Sequence, residues 1–168
     1  MGLQAPPTQR HDVQILTTHF QFNGQLETVG PAENYINTPT RDSLALYDLY
    51  AAPLTPGIPL KGASRSDAVV LRSQIVFLYF TSAETRSTIS TFPRRELLVV
   101  YTPVAVCRGY FHMPAEANLR DLLGAIPTSL IPITEAHVFP YFQLPAPFPA
   151  QAEMILAGRS QILFYHEA

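Results

Sequence analysis

The chain has one cysteine, no tryptophan and a single lysine among its 168 residues, and each scarcity narrows what the protein can be. A lone cysteine cannot close an internal disulfide, and Cys107, set in the apolar run Val104-Ala105-Val106-Cys107, reads as a small buried hydrophobe rather than a reactive thiol. Charged residues make up 14% of the chain and the net charge is −2. Its ten arginines stand singly except for Arg94-Arg95, which is not the basic stripe that tracks a phosphate backbone. A nucleic-acid partner is therefore not expected. No apolar run approaches the ~18 residues of a membrane span, and no secretory apolar segment follows the polar N-terminus. A cytoplasmic protein is the expectation.

The signatures of common active sites are missing too. Eight glycines stand singly, so no glycine-rich loop precedes a helix to cradle a phosphate. There is no Gly-x-Ser-x-Gly elbow. His11, His19, His112, His137 and His166 are isolated, with no carboxylate at metal-ligand spacing. No catalytic residue, metal or cofactor is expected, and the chain reads as non-enzymatic.

What the sequence does contain is hydrophobic residues, 47% of the total, and a repeat. The first excludes a disordered chain and points to a compact β protein, or to one with a large apolar interface. The second is carried by Arg72-Ser73-Gln74-Ile75 and Arg159-Ser160-Gln161-Ile162, which stand 87 residues apart, each joining a short apolar run to a longer one. Gly24 and Gly109 repeat at an offset of 85, and Ser43-Leu44 and Ser129-Leu130 at 86. Asn34-Tyr35-Ile36-Asn37 falls opposite Asp121-Leu122-Leu123-Gly124. A steady offset at ordered places is the mark of an internal duplication.

The expected organisation is a flexible tail over 1–11, a first β unit over 12–80, a linker over 81–94 and a second β unit over 95–168. In the first unit, alternation over Asp12 to Thr17 and around Phe20 and Phe22 predicts strand, kink, strand. Gly24 reads as a bulge or tight turn needing a positive φ. One helical turn is expected near Tyr35-Ile36, and another over Asn118 to Leu123. Leu130 to Phe139 holds β-branched residues and Pro132, which predicts an edge-like or bulged strand, and Ser43 to Ala52 follows it by the repeat. Ile75 to Phe80 and Ile162 to Tyr165 are apolar on both faces, so something must cover the second face. The other copy is the nearest cover. The predicted fold is all-β: two tandem five-stranded antiparallel units, small-barrel or sandwich-like, packed about a pseudo-two-fold axis. Halves of about 80 residues are marginal alone, so one compact body is expected.

Pro114-Ala115-Glu116-Ala117-Asn118-Leu119-Arg120-Asp121-Leu122-Leu123-Gly124, followed by Leu130-Ile131-Pro132-Ile133-Thr134-Glu135-Ala136, resembles a bacterial domain family of unknown function. Its members read arginine-leucine-serine-aspartate, an aromatic, leucine-asparagine, and later an apolar strand ending threonine, acid, alanine. The resemblance spans about Glu96 to Glu167 and, more faintly, Val13 to Phe80. Here Asn118-Leu119-Arg120 replaces arginine-leucine-serine, and Gly124 stands where asparagine is common. The family implies a fold and a duplication but no activity. The strand order is also similar to Sm-type small barrels, an analogy of fold alone.

Two sets of residues are candidates for function. Pro140-Tyr141-Phe142-Gln143-Leu144-Pro145-Ala146-Pro147-Phe148-Pro149 is kept extended by its prolines, so Tyr141, Phe142, Leu144 and Phe148 either anchor a partner or fold back onto their own sheet. The recurrent Arg72 and Arg159, with Asp121, either orient a ligand or serve local pairing and capping. The leading expectation is a non-enzymatic module that binds a protein partner or itself through the proline and aromatic loop and a sheet edge. The alternatives are an Sm-like RNA-binding module and a barrel with a ligand pocket between the copies.

Overall fold

The computed structural model describes residues 5–168. Its strands are β1 (Thr8–Thr17), β2 (Phe20–Val29), β3 (Ser43–Pro53), β4 (Ala63–Leu71), β5 (Ile75–Phe80), β6 (Arg94–Tyr101), β7 (Ala105–Met113), β8 (Leu130–Pro140), β9 (Gln151–Gly158) and β10 (Phe164–Glu167). Short helices α1 (Ala32–Asn37), α2 (Ala83–Ser87) and α3 (Leu122–Ala125) lie between them, with 3₁₀ turns at Arg72–Gln74, Leu119–Asp121 and Arg159–Gln161. The protein is all-β. Among the described residues its ten strands form a single antiparallel sheet in the order β10-β6-β7-β8-β9-β5-β1-β2-β3-β4.

Each half of that list runs fifth, first, second, third, fourth. A two-fold axis between the halves would require the β5–β9 contact to be matched by an equivalent contact between β10 and β4, and these strands lie at opposite ends of the sheet. The halves are therefore joined head to tail, not across a two-fold. The sheet is also open rather than closed into barrels or stacked as a sandwich. The joint is short, pairing Phe77 with Ala157 and Leu78 with Leu156.

Two hydrophobic cores flank this joint. Val13, Ile15, Leu26, Ile36, Leu44 and Leu46 build the first-half core, and Leu98, Val100, Phe111, Leu122, Ile133 and Val138 the second. β5 supplies both: Ile75, Leu78 and Phe80 enter the first, while Val76, Phe77 and Tyr79 enter the second. β9 reciprocates, with Ile155 and Ala157 in the second core and Leu156 in the first. This is why Ile75 to Phe80 carries apolar residues on both faces.

Several local features depart from the sequence reading. β1 begins at Thr8, so residues 8–11 belong to a strand, and β2 runs unbroken through Asn23-Gly24 because the chain reverses at Thr18-His19. Residues 1–4 of the expected tail lie outside the described residues. Gly24 does not have a positive φ; beside Gly30 and Gly57, the positive values belong to Asp48 (46°) and Glu135 (50°) on β3 and β8. Pairing slips at Gly24 and again at Gly109, so Gly24 faces Asp48-Leu49 and Gly109 faces Glu135-Ala136 as two matching bulges. Glycine is needed there for close approach: a Cβ on Gly24 would lie 2.6 Å from Leu49 Cβ, and one on Gly109 2.5 Å from Ile133 Cγ2. β8 is an interior strand, not an edge. Its proline is tolerated because the ladder to β7 ends at Ile133, one residue after Pro132.

Gly158 is the tightest point of the joint. A Cβ there would stand 1.7 Å from the carbonyl oxygen of Ile75, which is main chain and cannot swing aside. Gly158→Ala is expected to pry β9 from β5 and lower unfolding stability by about 1–3 kcal/mol. Gly124→Ala, whose Cβ meets nothing within 4 Å, is the control and should leave stability unchanged or slightly raised. Chemical denaturation of the two variants checks both.

Candidate functional site

The repeated arginines meet across one groove, lined by Asp42, Arg72, Ser73, Ser129, Arg159 and Ser160. The sheet joint brings them there, because the two Arg-Ser-Gln turns follow β4 and β9. Arg72 Nη1 donates to the carbonyls of Ile36 (3.1 Å) and Thr38 (2.8 Å), closing the end of α1. Arg159 Nη1 donates to the carbonyl of Ile126 (2.9 Å) just past α3. The backbone follows the same plan, Arg72 N donating to Asp42 O and Arg159 N to Ser129 O. Across the joint, Ser160 Oγ and Gln161 Nε2 both donate to Ser73 O, at 2.9 and 2.7 Å. Each arginine thus ties a helix end to the turn beside it. Asp121 is not in this groove, and its side chain caps nothing; the cap of that turn is Asn118, whose Oδ1 accepts from Arg120 N at 3.0 Å.

The proline and aromatic loop folds back. Phe142, Leu144 and Phe148 pack against the second-half core, while Tyr141 is exposed. The loop is clamped to the first half: the buried Gln21 donates through Nε2 to the carbonyls of Ala146 and Pro147, both at 3.0 Å, and its Oε1 accepts from Ala146 N. That role of Gln21 had no sequence signal beyond its place on the expected strand.

Sequence reasoning missed the residues that stand out most. β4 and β10 are the outermost strands, and four apolar residues on them or directly before them are exposed: Val69 is 68% exposed, Leu71 55%, Leu163, just before β10, 64% and Phe164 56%. Phe164 lies flat on Tyr101, with centroids 4.1 Å apart. The signal was present, since Ile162 to Tyr165 is as apolar on both faces as its repeat. A cavity of about 180 Å³ also lies between the halves, bordered by Asn37, Ile89, Phe92, His112, Leu130 and Pro132. Thr128 Oγ1, on its lining, is buried without a hydrogen-bond partner among the described residues.

The titratable groups of the interior serve structure. Burial pushes the Cys107 thiol up to about 12, so no thiolate forms at neutral pH. Among the described residues no group of three His, Cys, Asp or Glu side chains is placed to hold a metal, and no helix is long and apolar enough to cross a membrane. His11 links three elements, its Nδ1 3.1 Å from Thr85 Oγ1 and its Nε2 3.1 Å from Thr28 Oγ1, with its ring edge against Phe80. Desolvation lowers its pKa below the usual 6.5.

Two expectations follow from these contacts. Arg72→Ala removes donors from two carbonyls and should lower stability by about 1.5–3 kcal/mol in denaturant titration, with Arg159→Ala costing less and Arg72→Lys restoring little. For His11, the unfolded chain binds more protons than the folded one once pH falls below 6.5, so stability declines from there down through the lowered folded value. His11→Gln should flatten that part of the stability profile relative to the wild type. No protein-family model, curated protein or solved structure matches the chain, so its role is read from this geometry alone.

Proposed function

We propose that the chain is a non-enzymatic assembly module, built from two copies of a five-stranded unit, that binds a protein partner through its free edges β4 and β10. One observation carries this reading: Val69 and Leu71 on β4, Phe164 on β10 and Leu163 directly before it stand in solvent. A strand edge offers unpaired amide and carbonyl groups to any strand laid beside it, and natural edges are commonly defended by lysine or proline. Here the last residues of β4 and the start of β10 are apolar instead. Such an edge gains affinity from main-chain pairing and selectivity from the side chains that alternate along it.

Duplication is supported by matching details. The Gly24 and Gly109 bulges, the Asp48 and Glu135 positive φ values, and the Arg72 and Arg159 closures each occur once per half. Tyr141 and the neighbouring Phe139, both exposed, add an aromatic patch at the far end of β8. A second reading, a small-ligand module, is favoured by the cavity between the halves and the unpartnered Thr128 hydroxyl, which suits a small apolar molecule with one polar group.

A photo-crosslinking residue placed at Val69 or at Leu163 in the producing cell tests the leading reading. Covalent adducts to protein are expected from both positions, and none from a control placed at the exposed loop residue Glu116. If the edge positions label no more than the control, the edges are not binding surfaces.

A further inference from the structure

We infer that the partner at both edges is a second copy of this chain, with β10 of one molecule pairing antiparallel to β4 of the next in the arrangement that β5 and β9 already show inside the molecule. This rests on the reading of β4 and β10 as binding edges and names what they bind. The internal joint is the template. It connects the fifth strand of one half to the fourth strand of the other, and because it is head to tail it leaves one fifth strand and one fourth strand unsatisfied. Those are β10 and β4.

The side chains agree position by position at the repeat offset of 87. At the internal joint, Val76 and Phe77 leave their own half and are fully buried in the second-half core. Their counterparts are Leu163, directly before β10, and Phe164, its first residue, and both are exposed. Leu156 crosses the other way into the first-half core with 2% exposure, and its counterpart on β4 is Val69. By contrast Ala157 stays in the core of its own half, and its counterpart Val70 is buried likewise. At these four positions the three residues that cross the internal joint have exposed counterparts, and the one that stays in its own half has a buried one. Transferring the register Phe77 to Ala157 and Leu78 to Leu156 sets Phe164 opposite Val70 and Tyr165 opposite Val69 of the neighbouring copy. Phe164 then enters the neighbour's first-half core, and the neighbour's Val69 enters the second-half core of the molecule that supplied β10.

One position differs. Gly158, where the Ile75 carbonyl packs against the backbone, has Leu71 as its counterpart. The intermolecular joint therefore stands wider at that end than the internal one, and association is weaker and reversible. Repetition of a head-to-tail contact gives a closed ring or an open filament, according to the rotation at each joint.

The test uses the full chain and two one-sided variants, Val69→Lys for β4 and Phe164→Asp for β10, in sedimentation velocity over a concentration series. Leu163→Lys is a second β10 variant that spares the stacking on Tyr101, and unfolding midpoints confirm that all remain folded. The wild type is expected to form species larger than a dimer, and each variant alone to lose them. An equimolar mixture of a β4 variant with a β10 variant retains one intact edge of each kind and should yield a one-to-one dimer and nothing larger. Leu71→Gly should shift assembly to lower concentration. A wild type that stays monomeric, or stops at a dimer, overturns the inference, as does a variant that still dimerises alone, a mixture that gives no dimer, or a Leu71→Gly chain that associates less. A monomeric wild type whose edges still label another protein in the cell leaves the edge-binding function standing with a different partner.

Discussion

β5 is a strand with no solvent side, and the architecture follows from that. A strand apolar on both faces needs a core on each face. With Val76 and Phe77 buried in one core and Ile75 and Leu78 in the other, the cores lie on opposite sides of the same sheet at the joint. Neither half can complete its core alone: the second takes Leu16, Leu54, Val76 and Phe77 from the first, and the first takes Leu130 and Leu156 from the second. Units of about 80 residues are near the lower limit for burying enough apolar surface, so this exchange couples their folding.

Each half carries one bulge, and a bulge bends its strand. Each sets two residues of the third strand against one glycine of the second, and the extra residue is an acid held at positive φ. An arginine from the first strand of the same half reaches it, Arg10 to Asp48 at 3.5 Å and Arg95 to Glu135 at 3.0 Å. These pairs are exposed and contribute little to stability by themselves. What fixes the bend is steric. The backbone of the bulged strand comes so near that only glycine fits opposite, so the bend and the glycine depend on each other.

The sequence made the class legible and the assembly only partly so. Alternating and proline-interrupted apolar runs were enough to read strands, and the two-faced apolarity of Ile75 to Phe80 was enough to demand a cover from the other half. It carried no direction. Packing across a two-fold and pairing edge to edge both bury the second face, and residue type alone does not separate them. The same limit applies to Gly24, where a positive φ and a close approach both call for glycine, and to Pro132, which is excluded from an interior ladder only while the neighbouring strand still pairs there. The ambiguity at Phe142 and Phe148 was likewise real. Their rings are partly buried against the second-half core, and Gln21, from the other half, holds the loop down, a contact between residues more than a hundred positions apart. Arg72 and Arg159 recur in the sequence, but recurrence marks a structural closure as readily as a binding site.

The apolar start of β5 and the residues that lead into β10 differ in surroundings more than in residue type, whereas His166 and Glu167 stand where β5 has Tyr79 and Phe80. Both begin with apolar residues on alternate faces, and both follow an Arg-Ser-Gln turn that packs the same way. One lies between two strands and has no polar face; the other has one neighbour and keeps the same apolar face in water. A strand selected only for the end of a sheet has no need of Leu163 and Phe164, because a polar residue on that face costs nothing there and guards against unwanted pairing. Leu71 stands at the position equivalent, at the offset of 87, to Gly158, the point where the internal joint is tightest. The internal joint is sealed by Gly158 and by the shared cores, and Leu71 gives the edge no such close approach.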